Sequence, residues 1–338
     1  MSSKRELPVL TALKGIFCLI IAFHNTMLAQ LLFDDVPGVS FIYLYGGTLG
    51  NSVFLTISGF LFAYNYRSKV QNHEMPFFSF MARRFLKLYP LYLITNGISL
   101  VLSIIKYGPS VINLTRIASI LLLQAFDPYN APTWFLIVLF ACYIAFYFIS
   151  YNAKNDTQYF CGISLFVLLA FSLQSGLPFF GPRYCFAYLN FFAGCILAEL
   201  YPIILKKGRT WLPHVCLACL ACIAYLLLKF GVEIISGNVD KGFSLCITPL
   251  ILCIALSDNI YARILQCKPL VYLGKISTSV YFWHWPVYLF FTEVIVGGPI
   301  SEKQYMIYAA LLCFCSILSF RYIEGRRKHS VPVNNQNK

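Results

Sequence analysis

Residues 10–33 read LTALKGIFCLIIAFHNTMLAQLLF, and this stretch decides the class of fold. It is apolar and long enough to cross a bilayer, which takes about 20 residues in a helix. Lys14 lies near its start and His24 near its middle. Ionisable side chains inside a membrane span are costly and usually face a bundle interior or a water-filled cavity. The stretch therefore predicts a membrane helix that carries part of a functional site.

The composition of the whole chain agrees with a membrane protein. Of its 338 residues, 59% are hydrophobic and 12% are charged, and the mean hydropathy is +0.70. Soluble domains carry roughly 25% charged residues. The net charge of +13 does not indicate nucleic-acid binding, because the basic residues collect in alternate loops. We expect the lipid bilayer, and no nucleic acid, as a partner.

Apolar runs of spanning length recur along the chain and predict an all-α polytopic bundle of about ten transmembrane helices. The predicted spans are 10–32, 41–65, 88–105, 134–152, 159–179, 184–204, 211–230, 243–258, 277–297 and 304–323. An even number of crossings places both termini on one side. Residues 1–325 then form one membrane domain, and residues 326–338 form a polar tail that we expect to be disordered.

The distribution of lysine and arginine predicts which side is cytoplasmic. With the N-terminus inside, 20 of the 26 basic residues fall on the cytoplasmic side and six fall outside. This bias is typical of cytoplasmic loops in membrane proteins. The sequence therefore predicts two cytoplasmic termini.

One group of histidine and cysteine residues has a spacing similar to that of metal ligands. His214 is followed by Cys216, Cys219 and Cys222. The three thiols fall within a predicted membrane helix rather than on a turn that could wrap zinc, and free cysteine in such a place packs as a small hydrophobic residue. We therefore expect no metal site.

His24 and Lys14 each allow two interpretations. His24 is either a hydrogen-bonded structural residue or a base that takes a proton from an acceptor hydroxyl. Lys14 lies about 15 Å before it along a helix. The lysine either extends to the headgroups or belongs to the same site.

Two further motifs lie in the first third of the chain. Ser58–Gly59 falls inside the second span, where small residues let helices or a ligand approach closely. Met75 to Tyr89 reads as a basic amphipathic helix on the cytoplasmic surface. Its Arg83, Arg84 and Lys87 suit either anionic lipid headgroups or the phosphates of a cofactor.

The last third contains VYFWHWP at 280–286, which places Tyr281 and His284 inside a span beside two tryptophans. Tryptophan is common at membrane interfaces, but a histidine between two of them is less ordinary. Glu324 closes the last span and follows Arg321, with which it can form a local ion pair.

The order of these motifs resembles the acyltransferase-3 family over residues 6 to 325. The likeness rests on the first span, SGF at 58–60, ARRFLKLYPLYL at 82–93, TWFL at 133–136, LGKISTSVYFWHWPVYL at 273–289 and FRYIEG at 320–325. The resemblance implies a ten-helix bacterial membrane enzyme that takes an acyl group from acyl-coenzyme A. Members of the family typically O-acetylate sugars of polysaccharides or of peptidoglycan precursors.

The resemblance also implies roles for individual residues. His24 matches the essential histidine of the first span. The other matching positions are Arg83 and Arg84 for coenzyme A, and Ser58, Gly59, Phe60, Tyr281, His284 and Glu324, with Trp134 in the TWFL motif. The family usually has arginine at the position of Lys14, one residue farther from the histidine. Ten residues at 100° each place Lys14 and His24 about 80° apart around the helix.

The resulting expectation is an O-acyltransferase of the bacterial inner membrane that moves acetyl from acetyl-CoA to a sugar hydroxyl. His24 would act as the general base or as a transient acyl carrier, assisted by His284 and Tyr281. Arg83, Arg84, Lys87 and Lys14 would bind the donor, beside Ser58, Gly59 and Phe60. Trp134 and Glu324 carry no assigned role. The alternatives are a proton-coupled transporter or flippase, and a non-catalytic lipid sensor.

Overall fold

The computed structural model describes residues 7–26, 39–123, 127–173, 179–207, 210–230, 239–296 and 301–324. These ranges fold into helices and contain no strand, which confirms the all-α class. The predicted tail at 326–338 and residues 27–32 of the first predicted span lie outside the described residues.

Twelve α-helices occur within the described ranges. They are α1 (Pro8–Asn25), α2 (Val39–Gln71), α3 (Phe77–Tyr107), α4 (Leu114–Ile120), α5 (Trp134–Asn152), α6 (Asp156–Ser172), α7 (Pro182–Lys207), α8 (Leu212–Phe230), α9 (Val239–Leu256), α10 (Ile260–Leu265), α11 (Lys268–Leu289) and α12 (Glu302–Ser319). Short π-helical segments continue α11 over Phe290–Val296 and α12 over Phe320–Glu324.

Each of the ten predicted spans overlaps one of these helices. Six of the described helices are long and apolar enough to cross a membrane, judged by length and composition alone: α1, α2, α3, α5, α7 and α12. Helices α6, α8 and α9 contain shorter apolar segments. Ten crossings and two cytoplasmic termini stay predictions.

Helix α3 differs from its prediction. The surface helix expected at Met75 to Tyr89 and the span expected at 88–105 form one continuous helix, Phe77–Tyr107, with Pro90 inside it. Proline removes one backbone hydrogen bond, but membrane helices tolerate it because neighbouring groups satisfy the freed carbonyl. The basic residues of the motif therefore lie in the first turns of a long helix.

Helix α2 lies at the centre of the fold and packs most extensively against α7 and α1. Its contact with α7 depends on two glycines. A Cβ atom on Gly59 would lie 1.8 Å from the Phe191 carbonyl oxygen, and one on Gly194 would lie 2.0 Å from the Thr56 carbonyl oxygen. Helix pairs in membranes use such small residues because close approach increases van der Waals contact.

Helix α1 is held on its other side by α11. A Cβ atom on Gly274 would lie 1.7 Å from the Thr11 carbonyl oxygen, and one on Gly15 would lie 2.6 Å from the Gly274 nitrogen. The Cys18 thiol also donates to the Ser277 carbonyl at 3.2 Å. The first helix is therefore fixed between α2 and α11, and these contacts position its polar last turn.

Candidate active site

His24 lies in the last turn of α1, because the described helix ends at Asn25. The sequence predicted it near the middle of a longer span. Two polar contacts occur where the helix ends: the Thr26 hydroxyl donates to the Ala22 carbonyl at 2.7 Å, and the Tyr305 hydroxyl of α12 donates to the Thr26 carbonyl. The histidine is thus placed at a helix terminus that has its own hydrogen-bond partners.

The imidazole of His24 packs against the backbone of α2. A Cβ atom on Gly47 would lie 2.5 Å from its Cδ2 and 2.7 Å from its Nε2, so only glycine leaves room for the ring. His24 is half-buried, whereas Ile21 and Ala22 before it are buried. The ring therefore has a defined position against Gly47, and the residue retains some accessible surface.

His284 is fully buried, and both of its ring nitrogens have partners. Nδ1 lies 2.6 Å from the Tyr281 carbonyl oxygen, which can only accept, so Nδ1 carries the proton. In the neutral ring, Nε2 then accepts from the Asn25 side-chain amide at 3.1 Å. The structure thus links His284 to the residue that follows His24, and both of its nitrogens are engaged.

The hydroxyl of Tyr281 is also engaged, since it donates to the Pro132 carbonyl. The Tyr281 ring packs against Phe54 at 6.2 Å and Phe135 at 5.8 Å between ring centroids. These contacts join α11 to α2 and α5 close to His284. The arrangement favours a positioning role for Tyr281.

A buried polar network beside α11 was missed at the level of sequence. The Asn130 backbone N–H donates to Asn96 Oδ1 at 3.0 Å, and the Asn96 amide donates to Thr133 Oγ1 at 3.2 Å. The Asn130 amide donates to the Phe282 carbonyl at 2.8 Å. Asn96 was detectable as a polar residue within the apolar run 88–105, and Thr133 opens the TWFL motif, whereas Asn130 carries no such signal.

A basic cluster lies near the other end of α1. Lys87 of α3 is close enough to Lys14 and to Glu324 to interact electrostatically with both. Glu324 accepts a hydrogen bond from the Ser279 hydroxyl at 2.5 Å. Three motif positions that are distant in sequence, Lys14, Lys87 and Glu324, therefore lie close together.

The two arginines of the basic motif point in different directions. Arg83 is exposed. Arg84 is buried, donates to the Phe80 carbonyl at 2.6 Å and lies over three aromatic rings. Its guanidinium carbon is 4.2 Å from the ring centroids of Tyr66 and Phe80 and 4.9 Å from that of Phe62. The structure does not bring the two guanidinium groups together toward one ligand.

The SGF motif is mostly buried. Gly59 contacts α7, and Phe60 packs between Tyr64 and Tyr201, with ring centroids 5.8 and 5.5 Å apart. Ser58 is half-buried and within hydrogen-bonding reach of Tyr143. Of the three motif residues, only Ser58 is accessible to a ligand.

Trp134 is half-buried at the start of α5, and the Arg183 guanidinium carbon lies 5.2 Å from the centroid of its ring.

His214, whose spacing from three cysteines is similar to that of zinc ligands, is exposed. In the described part of the chain, no group of three or more histidine, cysteine or acidic side chains could hold a metal ion.

Comparison with known proteins decides the family. The profile of the acyltransferase domain matches residues 8–321, which is nearly the whole chain. The chain belongs to the acyltransferase-3 family. It is 26% identical to O-acetyltransferase OatA of Staphylococcus aureus over 96% of this chain and 57% of that protein. It is 24% identical to acyltransferase MdmB of Streptomyces mycarofaciens over 97% of this chain and 91% of that protein.

The chain spans little more than half the length of the OatA proteins that it matches. No solved structure matches it. The family, the helical fold and the candidate spans together place an acyltransferase domain in a multi-pass membrane protein.

Proposed function

We propose that the protein is a membrane O-acyltransferase that moves an acyl group, acetyl in the first instance, from acyl-coenzyme A to a hydroxyl of a sugar or cell-surface polysaccharide precursor. The observation that supports this most strongly is the seat of His24. Its ring is held against Gly47, and its neighbour Asn25 binds His284. His24 as a whole is half-buried and therefore retains some accessible surface.

In this reaction His24 is the general base. The acceptor hydroxyl oxygen attacks the thioester carbonyl and its proton passes to His24. The coenzyme A thiolate then leaves and takes up a proton. Base catalysis of this kind contributes about 10²–10⁴ in rate. His284 and Tyr281 support the site, because their polar atoms hold α11 against α1 and against the Asn130–Thr133 segment.

The donor binds at the basic end of α1. Arg83 and Lys87 are exposed and Lys14 is half-buried beside Lys87, so three basic side chains lie at this end of the helix, where the phosphates of coenzyme A would bind. Charge-assisted hydrogen bonds to phosphate are among the stronger polar contacts in proteins. Lys14 precedes His24 by about 15 Å along the helix, which suits a donor whose phosphates and thioester are joined by a long pantetheine arm.

The transporter interpretation is less well supported. Secondary transporters are typically built from related halves with paired broken helices at the substrate site, and the sequence shows no internal repeat. The match to the acyltransferase domain over residues 8–321 favours the enzyme.

The test is acetyl transfer by the purified chain in lipid nanodiscs, with radiolabelled acetyl-CoA and a panel of sugar acceptors. We expect His24→Gln to lower the transfer rate at least about 100-fold and to leave acetyl-CoA affinity unchanged. His214→Gln is the matched control, because His214 is exposed and lies on α8 rather than on α1. Full activity of His24→Gln would exclude the proposed base, and proton-coupled sugar uptake by liposomes without transfer would favour the transporter.

A further inference from the structure

A small polar cluster lies where α3 ends and contacts the π-helical segment that continues α11. Glu293 lies in that segment, and its Oε2 accepts a hydrogen bond from the Tyr107 hydroxyl at 3.0 Å. The Lys106 ammonium lies 3.4 Å from the same oxygen. Segments of π-helix are rare and frequently occur at functional sites. We name these three residues the Glu293 cluster.

The Glu293 cluster has polar and aromatic surface that a ligand can reach. Both contacts of the carboxylate engage Oε2, and Oε1 has no hydrogen-bond partner among the described residues. The side chains of Glu293 and Lys106 are 24% and 35% exposed, and Tyr107 is 59% exposed. The second carboxylate oxygen can therefore accept from a donor that approaches beside the tyrosine ring.

The charge of the cluster favours an uncharged polar ligand. Lys106 compensates the charge of Glu293, so the two side chains together are neutral. Phosphate groups offer acceptor oxygens, and a phosphodiester has no proton to donate to Oε1. The hydroxyl groups of a sugar can donate to it. The carboxylate therefore favours a carbohydrate over an anionic lipid headgroup.

Tyr107 adds a flat face on which a sugar ring can pack. The face of an aromatic ring is electron-rich and attracts weakly positive C–H groups, which a pyranose presents on its flat side. The hydrogen bond to Glu293 restrains the orientation of the ring. An exposed aromatic ring beside a carboxylate oxygen without a partner thus matches a neutral sugar.

The Glu293 cluster lies at the opposite end of α3 from the basic residues proposed to bind the donor. Lys87 and Tyr107 belong to one continuous helix, and the 20 residues between them span about 30 Å at 1.5 Å per residue. This length matches the thickness of the hydrocarbon core of a bilayer. A sugar bound to the cluster therefore lies at the membrane face opposite the proposed site for the phosphates of coenzyme A.

The cluster lies on the side of α3 that faces the candidate site. Tyr107 follows Asn96 by about three helical turns, so both residues lie on one face of α3. Asn96 binds Thr133 in the buried polar network that contacts α11. A ligand of the cluster is therefore aligned with the site rather than placed on another side of the bundle.

The cluster is nevertheless separated from the proposed base. Glu293 follows His284 by nine residues, which is roughly 13 Å at the α-helical rise. Because Asn25 binds His284, the adjacent His24 lies at a depth similar to that of His284. This separation exceeds the length of one pyranose ring. A sugar ring at the Glu293 cluster therefore cannot present its own hydroxyl to His24.

We infer that the Glu293 cluster is a carbohydrate subsite that binds an uncharged sugar ring of the acceptor at a distance from the sugar that is acylated. This inference rests on the proposed acyltransferase function and narrows its substrate class to acceptors of more than one sugar residue. The Tyr107 ring packs on the sugar, and Glu293 Oε1 accepts from one of its hydroxyls. Another sugar of the same oligosaccharide or polysaccharide presents its hydroxyl to His24.

The test measures how sugar binding depends on acceptor length, without acetyl-CoA. Saturation-transfer NMR is carried out on the purified chain in phosphatidylcholine nanodiscs. The probes are the mono-, di- and trisaccharides of two neutral series, one of β-1,4-linked glucose and one of β-1,4-linked N-acetylglucosamine. We expect the trisaccharide of at least one series to bind about tenfold more tightly than its monosaccharide, because one hydrogen bond to a charged group has about this effect.

Variants locate the dependence on length. Glu293→Ala and Tyr107→Leu should each weaken the trisaccharide about tenfold, to near the affinity of the monosaccharide, whereas Tyr107→Phe keeps the ring and should retain most binding. Asp258→Ala removes a carboxylate that pairs with Arg263 elsewhere, and Tyr225→Leu removes a ring that is as exposed as Tyr107. Both controls should bind the trisaccharide like the wild type. Thermal unfolding of each variant identifies any that fails to fold.

Three results would overturn the subsite. The first is equal binding of mono- and trisaccharides, or no binding of any probe. The second is a preference for the trisaccharide that survives Glu293→Ala, with or without a lower unfolding midpoint, because the cluster would then only join α3 to α11. The third is loss of glycerophosphoethanolamine binding in Glu293→Ala with no change for sugars, because the cluster would then bind a lipid headgroup.

Transfer assays separate this inference from the proposed function. Acetyl transfer with the same KM for acceptors of every length would retain the enzyme and overturn the subsite. Binding that increases with length and requires Glu293, but without acetyl transfer to any sugar, would retain the subsite and overturn the enzyme. If both proposals hold, Glu293→Ala raises the KM for the trisaccharide about tenfold and leaves kcat unchanged.

Discussion

The side-chain amide of Asn25 binds the buried Nε2 of His284 at 3.1 Å and thereby joins the end of α1 to α11. The two residues are 259 positions apart in the chain. Because Asn25 directly follows His24, this hydrogen bond fixes the backbone on which the proposed base is carried. We therefore expect His284 to support the proposed site by positioning Asn25.

Replacing Asn25 by alanine should therefore affect both stability and transfer. The substitution leaves a buried ring nitrogen without its partner, which costs about 1–3 kcal/mol. We expect a lower midpoint of thermal unfolding in detergent and a lower transfer rate. Asn72→Ala is the control, since Asn72 is exposed and such surface changes usually stay within about 0.5 kcal/mol. Equal unfolding midpoints for the two variants would contradict the role of this hydrogen bond.

Replacing Gly47 by alanine tests the seat of His24. The new Cβ would lie 2.5 Å from the imidazole Cδ2, so the ring must move. Misplacement of a catalytic group by about 1 Å can cost 100-fold in rate, and we expect a loss of that order in initial rates of acetyl transfer.

Gly97→Ala is the matched control for Gly47→Ala. Gly97 lies inside α3, and no atom is within 4 Å of the position of its Cβ. Alanine there should stabilise the helix by about 0.5–1 kcal/mol and leave transfer unchanged. If Gly47→Ala retained the wild-type rate, His24 would not need this seat for activity.

The helices were predictable from sequence, because a bilayer requires continuous apolar runs of a minimum length. Tertiary contacts then modified the ends. Helix α1 ends at Asn25, where Tyr305 donates to the Thr26 carbonyl, and the apolar pattern of residues 10–33 contains no sign of this contact. Similarly, Pro90 does not divide α3.

The candidate site was only partly predictable. His24 and Lys14 stand out because ionisable groups in a membrane span are costly. The network of Asn96, Asn130 and Thr133 depends on contacts across up to 37 positions and could not be read from local pattern. The surroundings of an arginine also depend on which helices pack against it. Arg84, for example, lies over aromatic rings and not in solvent.

Replacing Gly59 by alanine separates helix packing from donor binding. Its Cβ would lie 1.8 Å from the Phe191 carbonyl oxygen, a backbone atom that cannot move without separating α2 from α7. We expect a destabilisation of about 3 kcal/mol, at the upper end of the usual cost of overpacking, seen as loss of folded protein in size-exclusion chromatography. A well-folded variant with only a raised KM for acetyl-CoA would instead indicate that Gly59 contacts the donor.

The last prediction distinguishes the two adjacent arginines. Arg83→Gln removes an exposed cation from the proposed donor site, so the KM for acetyl-CoA should rise about tenfold, with unchanged thermal stability. In the wild type the same KM should increase with ionic strength, because salt screens exposed charges.

Arg84→Gln should instead lower the unfolding midpoint, because the guanidinium of Arg84 lies over three aromatic rings and binds the Phe80 carbonyl. Lysine at position 84 should not restore stability, because an ammonium lacks the planar stacking surface of a guanidinium. If Arg84→Gln folded normally and raised the KM as much as Arg83→Gln, both arginines would bind the donor, and the buried position of Arg84 would not describe the donor-bound state.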